Sequence, residues 1–161
     1  MADIDEPVKV DLSDNQVRFR FGLIEIVSKL IEGKFPDYKR VIPQSHSCSV
    51  EIDRDLLAAS LARVGILSDD GYGGVRCTLA EDVLRLQLSN RDQEDVVEEI
   101  GVEYKGKPLE IGFKIRYLKE SVSNVKDEAI VQFHFNDPNS SAVMTLPGDD
   151  TYRVVTMPMR I

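Results

Sequence analysis

The sequence predicts an α+β fold: duplicated strand-helix-three-strand units, with the helices on one face of antiparallel sheets. Three observations carry this. Short runs alternate apolar and polar residues at the period of two that a half-buried strand requires. Two segments, one after Asp53 and one over 114–125, instead space their apolar residues three and four apart, as one face of a helix does. Finally, the order strand-helix-strand-strand-strand is written twice across residues 46–161.

Taken in order, residues 7–21 read as a hairpin. Val8, Val10 and Leu12 alternate with polar residues on the way out, and Val17, Phe19 and Phe21 on the return, with "SDNQ" as the turn. A third strand covers Leu23 to Leu30. "EGKFPDYKRVIP" runs irregularly, punctuated by Pro36 and Pro43, and a domain boundary is expected near Pro43–Ser47. This gives 1–43 as one incomplete domain and 44–161 as a complete one. "SCSVEI" is a strand. Asp53 is placed to cap the next helix by accepting from free first-turn amides. Leu56, Leu57, Ser60, Leu61, Val64 and Leu67 form its apolar face. Strands are expected at 72–79, 83–89 and 95–104. The order then repeats: "PLEIGF" as a strand, a helix carrying Ile115, Leu118, Val122 and Val125, and strands at 129–135, 141–147 and 152–157. Residues 1–43 look like the tail of a third unit whose strand and helix are missing. Such an incomplete sheet should expose an edge.

Composition narrows the function. Of the 161 residues, 42% are apolar and 30% charged, which supports a packed core rather than disorder. No apolar run approaches the ~20 residues of a membrane helix, and "MADIDEPVKV" is not a secretory signal. Cys48 and Cys77 have neither metal-site nor C-x-x-C spacing and read as reduced thiols of a cytoplasmic protein. The net charge of −8 argues against a general nucleic-acid binder, but it is uneven. "RDQEDVVEEIGVE" holds six acids and one base; "KIRYLKESVSNVK" holds four bases and one acid. A basic element on an acidic body tolerates DNA on one face only.

The chain ends "TMPMRI": two methionines around a proline, then one fixed charge. Methionine is unbranched and polarizable, so an exposed pair suits a surface that moulds to varied apolar anchors. It also suits a last strand filling core gaps. Catalytic chemistry is poorly represented. His46 and His134 are the only histidines, and His134 alternates outward from Val131, Phe133 and Phe135 as a surface imidazole. "SDDGYGG" matches neither a calcium loop nor a phosphate loop and reads as a turn. No nucleophile-base set can be assembled.

Four stretches in order, "EGKFPDYKRVIP", "ARVGILSDDGYGGVR", "LEIGFKIRYL" and "VVTMPMRI", together resemble the bacterial DNA polymerase III β subunit, the sliding-clamp family. The resemblance covers essentially the whole chain. It implies the DNA-clamp fold, with this sequence the last part of a second domain and an entire third domain, as though a longer protein had been cut. It implies a non-enzymatic processivity factor without cofactor or metal. In the family, two chains close head-to-tail around duplex DNA and tether the polymerase III catalytic subunit, the clamp loader, other polymerases and repair proteins. The partners bring short linear motifs to a pocket between the second and third domains. By matching motifs, the resemblance implies that Pro36, Arg40, Val41, Lys114, Tyr117, Ser141, Val155, Met157, Pro158, Met159 and Arg160 belong to that pocket. It places Ile66 and Leu67 at the ring interface, and Lys119 and Lys126 toward DNA. Three positions depart from the family pattern: Lys114 replaces a common asparagine, Asn139 a common apolar residue, and Thr156 an aliphatic one. Thr156 should face away from the pocket. The plainer readings stand beside these: Tyr117 as a core residue with its hydroxyl at the rim, and the lysines as a solvated face. Two other functions stay open. One is a truncated clamp product or peptide-binding module that competes with the full ring. The other is a small hydrolase or nuclease using Asp69 and Asp70.

Overall fold

The alternation at 7–31 forms strands because each run can turn one face inward and one outward. The computed structural model describes residues 7–33, 37–68, 73–126 and 128–161. Strands β1 (Lys9–Leu12), β2 (Gln16–Phe21) and β3 (Ile24–Lys29) make an antiparallel sheet in the order β1-β2-β3. The Ser13 amide donates to the Gln16 carbonyl at 2.9 Å, closing the hairpin at the expected "SDNQ". Register pairs Val10 with Phe19 and Phe19 with Ile26, and Leu12 with Val17, so the large apolar side chains share one face. The other face carries Arg18 with Glu25 and Arg20 with Asp11, at 3.7 and 2.6 Å. No described residue from 7 to 33 is buried. This sheet lies in a first compact unit, Met1–Asp37; the second unit is Tyr38–Ile161.

The second unit opens with a single 3-10 turn, Tyr38–Arg40, then β4 (Cys48–Asp53) and α1 (Arg54–Val64). Asp53 caps α1 as expected: its carboxylate accepts from the Leu56 amide at 2.8 Å. Leu57, Ser60, Leu61 and Val64 are buried along one stripe. Leu56 departs from the expected face and is 46% exposed. The helix also ends at Val64, so Leu67 reaches the core from a second 3-10 turn, Gly65–Leu67. Strands β5 (Gly74–Ala80), β6 (Val83–Ser89) and β7 (Asp95–Gly101) follow, then β8 (Leu109–Lys114) and α2 (Ile115–Ser123). Strands β9 (Ile130–Phe135), β10 (Ala142–Leu146) and β11 (Asp149–Thr156) complete the duplicate.

The two repeats exchange strands. One sheet runs β11-β10-β9-β4 and the other β7-β6-β5-β8, so the leading strand of each repeat joins the three strands of the other. Both sheets are antiparallel throughout. The two helices pack on each other. The core is continuous, from Val50 and Ile52 on β4 through Leu86 and Phe113 to Val131 and Phe133. Among the described residues, no helix is long and apolar enough to cross a membrane.

Candidate functional site

The chain's last residues leave one sheet and lie across the other. β11 ends at Thr156, whose side chain is buried at 4% exposure, so its neighbours Val155 and Met157 are turned the other way by strand alternation. Val155 is half-buried and pairs in register with Val143 of β10. Met157 is 59% exposed, and its sulfur accepts from the Ser141 hydroxyl at 2.9 Å. After Pro158 the tail reaches β8: the Met159 amide donates to the Gly112 carbonyl at 2.8 Å in an isolated antiparallel bridge.

Two glycines make room for this crossing. A Cβ on Gly112 would stand 2.6 Å from the Met159 carbonyl oxygen and 2.7 Å from Ile161 Cγ1. A Cβ on Gly74 would stand 2.4 Å from Ile161 Cγ2. They lie on adjacent strands, Gly112 opposite Arg76 and Gly74 opposite Lys114. The seat of the tail is therefore built from missing side chains. Gly74, Gly112 and Ile161 lie within the matching stretches, but the resemblance assigns them no role. A glycine inside a strand marks close backbone approach, and "GGV" and "EIGF" carried that signal.

Lys114 ends β8 and stands immediately before α2, with its ammonium 5.6 Å from the centre of the Tyr117 ring. Tyr117 is 47% exposed, so it is not a core tyrosine. Lys114 faces Gly74 in register, and the Met159 thioether lies beside Gly74. The structure thus joins Lys114, Tyr117, Met159 and Ile161 at the end of one sheet, with Pro158 leading to Met157, Ser141 and Val155 on the other. Arg160 is exposed at the tail's end. Arg40 and Val41 stand apart on and after the first 3-10 turn, where the Val41 amide donates to the Tyr38 carbonyl at 3.0 Å. Val41 is 45% exposed, and Ile42, next to it, lines the same groove as Ser141. Pro36 lies outside the described residues.

The other expected residues sit elsewhere. Ile66 is 79% exposed, whereas Leu67 packs against the core, so only Ile66 offers a whole side chain to a partner. Lys119 and Lys126 are exposed and make no ion pair with a described residue. The Lys119 ammonium lies 3.3 Å from where a Gly65 Cβ would be, at the carbonyl end of α1. Nearby arginines are engaged. Arg63 donates to both oxygens of Glu98 at 2.7 Å, and that bond holds the Glu98 carboxyl below its usual range. Arg116 bonds Glu120 at 2.7 Å. No group of three or more potential metal ligands occurs among the described residues. Asp69 and Asp70 lie outside them. Chemically, the tail offers adaptable apolar anchors rimmed by cations.

A family model described as DNA polymerase III beta subunit, C-terminal domain, matches residues 39–160. The beta sliding clamp of Pseudomonas putida is 38% identical over all 161 residues, which span 44% of that relative. The beta sliding clamp of Escherichia coli K12 is 34% identical over 98% of the chain and 43% of its own length. Among solved structures, the DNA polymerase III subunit beta of Pseudomonas aeruginosa superposes with TM-score 0.82 at 38% identity, over 96% of this chain and 42% of that one. A sliding clamp from Bartonella birtlesii bound to griselimycin gives TM-score 0.85 at 30% identity, over 99% of this chain and 42% of its own.

Proposed function

The chain belongs to the DNA polymerase III beta-subunit family, and from that membership we propose that it supplies the partner-docking part of a cytoplasmic, non-catalytic sliding clamp. The chain spans under half the length of its curated relatives, so ring closure around duplex DNA is a role of the longer assembly. In that assembly the clamp raises the polymerase's effective concentration at the template by topological linkage. The docking role is local. Met157, Met159, Val155 and Pro158 give apolar anchor contacts, and Ser141, Lys114 and Arg160 give polar ones. Short peptide motifs are held by such an arrangement, a few buried anchors with polar groups setting orientation. Lys119 and Lys126 would meet phosphates without reading sequence, which sliding requires. Ile66, with Leu67 behind it, would pack on a neighbouring chain.

The observation that carries this reading is the tail seated on Gly74 and Gly112, which holds Met157 outward at 59% exposure. A core-filling terminal strand would bury it. The test is a titration of a fluorescent peptide bearing a glutamine followed by leucine and phenylalanine anchors. Saturable binding is expected, and it should fall at least about tenfold when Met157–Ile161 are deleted, the loss of one or two apolar anchors. Equal binding by both proteins would overturn the reading.

A further inference from the structure

A groove of about 290 Å³ lies on the outer face of the β4-β9-β10-β11 sheet, walled on one side by Ile42, Pro43, Gln44 and His46. Its floor includes His134, Ser141, Val143 and Arg153. Two observations connect it to the tail. Ser141 lines the groove and also bonds the Met157 sulfur. Val143 lines it and is the register partner of Val155. The groove therefore begins where the methionine patch ends, on the same surface.

Most of the groove's amides and hydroxyls are engaged: Gln44 donates to the Ile42 carbonyl, Gln132 to Glu51, Asn136 to the Ser45 carbonyl and Ser141 to the Met157 sulfur. Its cation is not. Arg153 is exposed and makes no ion pair among the described residues. The His46 and His134 rings pack at a tilt of 39° with centres 4.2 Å apart, and His134 Nε2 meets Thr145 Oγ1 at 2.9 Å. His134 Nδ1 is enclosed and has no hydrogen-bond partner among the described residues. Asp149 also lines the groove: its Oδ1 accepts from the Thr151 amide at 2.8 Å and the Thr151 hydroxyl at 2.6 Å, bonds that hold the carboxylate charged and turned into its own loop. An incoming carboxylate would find the exposed Arg153 guanidinium and the exposed His46 ring, with His134 enclosed beside His46 and the local carboxylate held in a turn.

We propose that this groove receives the residues flanking a partner's anchor motif and selects an acidic side chain there. The inference rests on the reading of the tail as a peptide site. A charge-assisted bond from Arg153 would be stronger than a neutral one and would set the direction in which the peptide leaves the anchors.

The test uses three peptides with one anchor core: acidic residues before it, acidic residues after it, or neutral residues on both sides. Each is titrated against the 161-residue protein and its Arg153→Gln and His46→Gln variants. One acidic peptide should bind about two- to tenfold tighter than the neutral one, and Arg153→Gln should remove the advantage, as coupled groups in contact do. The thermal melt of Arg153→Gln should match that of the parent protein, which shows that the variant is folded. Equal affinity for all three peptides, or an advantage that survives both substitutions, overturns the groove while leaving the tail site standing. Neutral-peptide binding that is absent, or insensitive to deletion of Met157–Ile161, overturns the tail site and the groove together.

Discussion

At Gly112 and Gly74, the absence of a side chain is the functional feature. Adding even a methyl at Gly112 pushes on backbone, the Met159 carbonyl at 2.6 Å, rather than on a flexible side-chain end. Gly112→Ala is expected to cost about 1–3 kcal/mol, the usual range for overpacking. It should lower Tm by several degrees in a thermal melt and weaken anchor-peptide binding with it. Met157→Ala should separate the two effects: little change in Tm, because the side chain is largely exposed, but loss of peptide affinity. Cys77 is a further residue-scale case. Burial pushes its thiol up to about 12, while Cys48 is only half-buried. Alkylation of the native protein at neutral pH should modify Cys48 first and leave Cys77 until unfolding, read by mass spectrometry. The sequence made the two tail methionines legible, because residue type announces them, but not that Met157 is exposed while Met159 is half-buried. It hid the glycine seat, because what matters there is a distance between segments remote in the chain. Tyr117 was undecided for a related reason: its place on a helix face does not reveal whether another element covers it.

At the scale of elements, periodicity was enough to find every strand and both long helices of the described residues. It blurred where geometry changes within one apolar run. Leu56 and Leu67 satisfy a helical spacing on paper, yet the first lies off the buried stripe and the second on a tighter turn. Alternation also placed His134 on the outer face of β9 correctly. It did not show that the strand 42–46 leads into would bring His46 over it. Burial, and then the neighbouring His46, lowers the His134 pKa. The folded protein therefore favours the neutral imidazole, and the unfolded chain takes up a proton near the ordinary value of about 6.5. The stabilisation is fully present above that pH. It is lost as pH falls below it toward the lower folded pKa. Urea midpoints measured between pH 7.5 and 5 should decline through this window, and His134→Gln should flatten the decline. An equal decline in both proteins would assign it to other groups.

For the whole molecule, the two compact units differ in what holds them. The second has a continuous core; the described residues 7–33 have no buried member. Val8, Val10, Leu12, Ile24 and Ile26 are each roughly half exposed or more on one face of the three-stranded sheet. A sheet of this size with an uncovered apolar face is marginal by itself. Limited proteolysis should cut first before Tyr38 and leave a resistant 38–161 piece, with dye binding to exposed apolar surface lost in that piece. Simultaneous digestion of both units would contradict this. The duplication was legible in the sequence as a repeated order of elements, but the exchange of leading strands was not. Pairing between remote segments leaves no local pattern.

That exchange also bears on how the chain is made. β4 has no strand partner until β9 exists, roughly 80 residues later, and a ribosome adding about 5–20 residues per second takes several seconds or more to supply it. During that interval Val50 and Ile52 emerge on an unpaired edge. The apolar first strand of the unit is thus a debt carried through synthesis, and nascent-chain handling, rather than final stability, is where this topology is most exposed to failure.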